Sequence, residues 1–132
     1  MASIHREVLI NVPPEQVWSA ARDIGALHTR LVPGFVVNTI VEGDARIVTF
    51  GNGMVVRELI IDVDDNRCRI AWSAEGTEMS HYSTSFQVFP VEHGTRGVWI
   101  ADLLPHEAAS AVAQMIEAGL AAMKRVMENA AD

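Results

Sequence analysis

The chain has 132 residues, 49% of them hydrophobic and 20% charged, which is enough for one domain with its own core and argues against disorder. Ten basic against seventeen acidic residues give a net charge of −7, a balance that disfavours nucleic acid and anionic membrane surfaces, which need clustered Lys and Arg. The lone cysteine, Cys68, excludes an internal disulfide and a Cys-based zinc site, and no apolar run approaches the ~18 residues of a membrane span. Residues 1–7 lack the apolar core of a signal peptide, so a cytoplasmic location is expected.

From Ile4 to Val12 the residues alternate and are rich in Val, Ile and Leu, which predicts a strand. Pro13-Pro14-Glu15 stops it and starts a helix, because proline is tolerated in a first helical turn and an acidic side chain suits the helix N-terminus. Val17, Trp18, Ala21 and Ile24 follow at helical spacing until Gly25, and residues 26–31 predict a second short helix before Pro33-Gly34. Apolar runs then alternate with turn chemistry at Gly43-Asp44, Gly51-Asn52-Gly53, Asp64-Asp65-Asn66, Gly76 and His93-Gly94. They predict strands near 35–42, 45–50, 54–63, 67–75, 80–89 and 95–104, joined as an antiparallel meander. Gly51-Asn52-Gly53 precedes a strand rather than a helix, so it is not a phosphate loop. Beyond Pro105, residues 107–130 carry Val112, Met115, Ile116, Gly119, Leu120, Met123, Val126 and Met127 in one apolar stripe. That helix, ~36 Å long at 1.5 Å per residue, needs a sheet face to cover it.

The order of strand, two short helices, six-stranded meander and long C-terminal helix resembles the START-like (SRPBCC) superfamily, and within it the polyketide cyclase/dehydratase-like proteins. The stretches that carry the resemblance are Val8 through Val17-Trp18, residues 23–35, residues 53–59, and Gly94-Thr95-Arg96 leading to Trp99. The resemblance covers essentially the whole chain and implies an α+β helix-grip fold. In it a curved seven-stranded antiparallel sheet wraps around the long C-terminal helix as a single domain over residues 1–132, and an apolar cavity lies between sheet and helix. The superfamily is functionally diverse, so the fold alone decides little about activity.

If there is a cavity, the inward face of each strand should line it. Alternation places Tyr82, Thr84, Phe86 and Val88 inward on one strand, and Trp72 inward with Cys68, Ile70 and Ala74 on another. Trp99 faces inward with Thr95, Gly97, Ala101 and Leu103, a choice the resemblance supports. Strand 54–63 is ambiguous; its odd-numbered set is more apolar and would aim Arg57 at the cavity. Cys68 reads as a small buried hydrophobe in mid-strand. Phe35, Phe50, Met115 and Met123 complete the candidate lining, and Gly119 marks either spare volume on the helix or a close helix–sheet approach. The alternative for each of these side chains is an ordinary filled core.

His28 and Arg30 stand near the Pro33-Gly34 turn, at what the resemblance makes the open end of the cavity. A cyclase or dehydratase would need a base and an enolate clamp, so His28 is the candidate base, Arg30 the clamp and Asp23 the group that orients His28. Their alternative reading is helix-surface polarity with local salt bridges. Arg46, Arg57 and Glu58 form either a buried pair or, as the more ordinary use, a solvated cross-strand pair. The five histidines show no metal-ligand spacing, no nucleophile-elbow motif occurs, and no cofactor is expected. The sequence therefore points first to binding of a small hydrophobic organic ligand, second to cyclase or dehydratase chemistry, and third to a homodimeric interaction module without a ligand.

Overall fold

A computed structural model describes residues 2–130, apart from the Ala130 side chain. Strand β1 spans Ala2–Ile10, and helix α1 follows over Pro14–Ala21, with Pro13 as N-cap and Pro14 in the first turn. The second short helix is a single π-helical turn, Leu27–Leu31, in which the Val32 N–H donates to the Leu27 carbonyl at 3.0 Å. The meander comprises β2 (Val36–Glu42), β3 (Ala45–Phe50), β4 (Val55–Asp64), β5 (Arg69–Glu75), β6 (His81–Val91) and β7 (Gly94–Leu104). A short 3-10 turn, His106–Ala108, leads into helix α2, Ala109–Ala130.

These strands form one seven-stranded antiparallel sheet in the order β1-β7-β6-β5-β4-β3-β2. The meander builds itself from consecutive hairpins, and β1 closes it by pairing with β7 from Ala2↔Leu103 to Ile10↔Thr95. With α2 laid along one face, the fold is the α+β helix-grip arrangement that the resemblance implies. The α2 stripe goes to the sheet as its spacing requires: Val112, Ile116, Leu120, Met123 and Met127 are buried, with Met115 and Val126 packed beside them. Polar ties pin the helix to β1, since Lys124 Nζ donates to the Leu9 carbonyl at 2.6 Å and Arg6 pairs with Glu117 at 3.2 Å. Among the described residues, no helix is long and apolar enough to cross a membrane.

Two expectations about the strands are corrected. In β4, Ile60 faces Trp72 and Asp62 faces Ala71, so Ile61 is an extra, unpaired residue. This bulge shifts the alternation by one. Val56, Glu58 and Ile60 point inward before it and Val63 after it, while Arg57 is exposed and pairs with Glu75 at 2.8 Å. The apolar odd-numbered set misleads because it spans both phases. Cys68 lies in the β4–β5 turn rather than in a strand, half-buried and with φ of 51°. The Asp64 Oδ1 there accepts from the Asn66 and Arg67 N–H groups, which bends the chain before β5 begins.

Gly119 marks a close approach between helix and sheet. A Cβ there would lie 2.9 Å from Trp99 Cζ3 and 3.2 Å from Phe35 Cε2, so both rings rest on the bare helix backbone. Trp99 cannot retreat easily, because its Nε1 donates to Thr84 Oγ1 at 2.8 Å, and that hydroxyl donates to the Ile100 carbonyl at 2.8 Å. Gly119→Ala is therefore expected to lower stability by about 1–3 kcal/mol through overpacking, despite alanine's higher helix propensity. Urea denaturation checks it; a gain near ~1 kcal/mol, the propensity difference alone, would show that the rings move aside freely.

Candidate functional site

Between the sheet and α2 lies a cavity of about 770 Å³, within the range of small-molecule sites. Its far wall is the sheet: Phe50 from β3, Val56 from β4, Ile70, Trp72 and Ala74 from β5, Tyr82 and Phe86 from β6, and Trp99 from β7. Helix α2 and its approach contribute Ala108, Ala111, Val112, Met115 and Met123. The π-turn region supplies Leu27, Leu31, Val32 and Phe35. The mouth opens among the β3–β4 turn (Asn52, Met54), the β5–β6 loop (Gly76–Met79) and Pro105. Aromatic rings hold the wall in shape: Phe35 meets Phe50 edge-on at 5.4 Å, and Trp72 meets Trp99 at 5.8 Å.

One polar cluster interrupts this surface. Arg46 on β3 and Glu58 on β4 are direct cross-strand partners, and both side chains line the cavity. They are 2% and 7% exposed, so the solvated pair expected from sequence is in fact a buried one. Arg46 Nε donates to Glu58 Oε1 at 2.8 Å, its Nη1 reaches the Ile24 carbonyl at 3.4 Å, and its guanidinium lies 5.4 Å from the Trp72 ring centre. Burial pushes the Glu58 carboxyl above its ordinary value; the Arg46 charge and hydrogen bond, and then the Trp72 N–H, offset part of that rise. Tyr82 also lines the cavity, and burial followed by the nearby Glu58 charge raises its phenol well above the ordinary value, so it remains a proton donor.

The sequence candidates divide cleanly. Phe35, Phe50, Trp72, Tyr82, Phe86, Trp99, Met115 and Met123 lie on the cavity lining. Gly119 adds no surface to it, but carries the Trp99 and Phe35 rings that do. Arg57 faces solvent on the other side of the sheet. His28, Arg30 and Asp23 are not brought together as a base, clamp and orienter. Asp23 pairs with Arg30 at 3.0 Å rather than with His28, Arg30 also bonds Ser19 Oγ at 2.9 Å, and none of the three lies on the lining. His28 is half-buried, and its Nδ1 has no hydrogen-bond partner. Sequence reasoning missed Arg46 and Glu58 as cavity residues. Their signal was present, since opposite charges facing each other across the Asn52-Gly53 hairpin on strands otherwise rich in Val and Ile invite a shared face.

The model of the family described as polyketide cyclase / dehydrase and lipid transport matches residues 1–128. The chain belongs to that family. Among solved structures it is similar to the protein XoxI from Bacillus cereus, with a TM-score of 0.88 at 18% identity, covering 100% of this chain and 99% of that one. It is also similar to the di-domain ARO/CYC BexL from the BE-7585A biosynthetic pathway, with a TM-score of 0.84 at 17% identity over 97% of this chain and 47% of BexL. Ara h 8.0201 matches with a TM-score of 0.74 at 19% identity, over 96% and 97% of the two chains. At these identities the likeness is one of fold. No curated protein matches the sequence.

The buried carboxyl makes a pH prediction. Because its folded-state value is raised, Glu58 holds its proton more tightly in the folded protein than in the unfolded chain. Its contribution to stability is therefore fully present at low pH and fades as pH climbs from the ordinary carboxylate range through the raised value. Asp65 and Glu128 run the other way: hydrogen bonds from Arg22 and from Lys124 lower them, so what they contribute is lost on acidification. The comparison with Glu58→Gln isolates the first effect. Urea denaturation from mildly acidic to neutral pH should show wild type losing stability relative to the variant as pH rises. A difference that stays flat would mean that Glu58 ionises in the fold as it does in water.

Proposed function

We propose that the protein binds a small hydrophobic organic molecule in the cavity between sheet and helix. The observation that carries this reading is the cavity itself: about 770 Å³ walled mainly by aromatic and aliphatic side chains, with Arg46, Glu58 and Tyr82 on its sheet wall and Asn52, Thr77 and Glu78 at its mouth. Burying apolar surface there would contribute roughly 25 cal/mol per Å², and the Arg46, Glu58 and Tyr82 cluster would orient what enters. The polyketide cyclase / dehydrase and lipid transport family and the structural likeness to the ARO/CYC protein BexL agree with such a use of the fold. The neutral probe N-phenyl-1-naphthylamine tests it, since its emission rises in an apolar site. Wild type should bind it saturably, and Ala74→Phe, which fills the cavity from β5, should weaken binding at least about tenfold, or ~1.4 kcal/mol. No binding, or equal binding by a filled variant that unfolds normally, overturns the proposal.

A second reading is favoured by Glu58, a carboxyl on the cavity wall whose proton affinity is raised by burial. Such a group can take a proton from carbon next to a carbonyl and return it, the step that aldol cyclisation and dehydration require. In this reading Glu58 is the base that sequence assigned to His28, and Tyr82 is the donor to the enolate. Acetophenone in D2O provides a probe without knowledge of the natural substrate. Wild type should accelerate exchange of its methyl protons, and Glu58→Gln should abolish the acceleration; equal exchange with both proteins would remove the catalytic reading and leave binding untouched.

A further inference from the structure

The cluster of Arg46, Glu58 and Tyr82 restricts the chemistry that a ligand can present at the polar end of the cavity; the inference rests on the reading that the cavity takes a hydrophobic molecule. Arg46 is engaged on three sides before any ligand arrives: Nε on Glu58, Nη1 toward the Ile24 carbonyl, and its flat face beside the Trp72 ring. Its single positive charge stands opposite a single carboxyl, on the adjacent strand and in register. A carboxylate brought in on a ligand would place two acids around one cation in an apolar wall, so that one of them must take up a proton or stay unpaired. Glu78, the other acidic side chain on the lining, stands exposed near the mouth and adds repulsion of the same sign. An alkylammonium would meet the guanidinium already in place.

Beyond the Arg46 N–H groups not used in those contacts, the cluster offers the Tyr82 hydroxyl, a donor, and the Glu58 carboxyl, an acceptor, from the strands on either side of β5. A neutral hydroxyl can satisfy both, and a ketone can satisfy the first. We propose that the cavity selects hydrophobic molecules ending in a neutral hydroxyl or carbonyl oxygen, held by Tyr82 and Glu58, and rejects the corresponding carboxylates because Glu58 already neutralises Arg46.

Displacement of N-phenyl-1-naphthylamine from the full chain by 1-decanol and by decanoate, at neutral pH, tests this. Decanol should displace the probe at the lower concentration in wild type. Simple partition into an apolar space would give the same order, so the variants decide. Glu58→Gln leaves Arg46 as an unneutralised cation and should reverse the preference, with decanoate displacing better than decanol. Tyr82→Phe should weaken decanol roughly two- to tenfold, the worth of one hydrogen bond, and leave decanoate unchanged; it decides alone if Glu58→Gln does not fold. A preference for decanol that persists unchanged in the variants, or a wild-type preference for decanoate, overturns the inference while the probe still binds. Failure of the probe to bind wild type at all is the separate outcome that removes the ligand reading itself.

Discussion

The contact between the Trp99 ring and the helix backbone at Gly119 sets the distance between the two layers of the molecule. The indole is held from behind by Thr84, whose hydroxyl is in turn tied to the Ile100 carbonyl, so the prop stands on the sheet's own hydrogen bonding. Toward its N-terminal end α2 and the turn before it present Ala108, Ala111 and Val112 to the cavity, side chains too short to reach across to the sheet once the Trp99 contact has fixed the spacing. Large rings on one layer and small side chains on the other cannot fill the space between them. The cavity is the geometric remainder of that mismatch, and it opens where the short side chains are concentrated.

Within that remainder the Arg46–Glu58 pair needs a reason other than stability. Moving two charges into an apolar wall costs several kcal/mol per ion, and their attraction roughly returns it, so apolar residues of equal volume would serve the core as well. The energetics are asymmetric, however. Removing one partner leaves an uncompensated buried charge, at about 3–5 kcal/mol, whereas exposed pairs such as Arg6–Glu117 contribute ~0–1 kcal/mol and tolerate loss. A buried ion pair that adds no net stability to the core and stands on a cavity surface is explained by its facing something polar. That something is a ligand atom in the function proposed above.

Most of the fold was legible because its signals are local. Turn residues at Gly43, Gly51-Asn52-Gly53 and His93-Gly94 delimit the strands, and the three- and four-residue steps of the stripe from Val112 to Met127 define α2. What sequence could not show was phase and partnership. The bulge at Ile61 is set by pairing with β5, and no residue near it announces the extra position, so Arg57 and Glu58 exchanged faces in the reading. Cys68 was misplaced for a similar reason: it adopts a positive φ because the Asp64 turn demands it, not because cysteine favours it. The candidate site divided along the same line. Aromatic lining followed from alternation, whereas His28, Arg30 and Asp23 were grouped by nearness in sequence, and the π-turn instead sends Arg30 back to Asp23 and Ser19.

The cavity also separates two properties that many binding sites combine. Among the described residues, those that α2 and its approach contribute to the lining are all apolar: Ala108, Ala111, Val112, Met115 and Met123. Arg46, Glu58 and Tyr82 all stand on the sheet, on β3, β4 and β6. Substitutions on the helix therefore alter how large a molecule fits, through volume alone, because methionine and alanine can be exchanged for other apolar residues without disturbing a hydrogen bond. Substitutions at Arg46, Glu58 and Tyr82 would, in the function proposed above, alter which functional group is accepted. Size and chemistry can then vary independently on one scaffold. A fold with that property can serve unrelated ligands by changing a few inward side chains, and in the function proposed above the inward side chains of this chain would offer a neutral polar contact at the end of an apolar chamber.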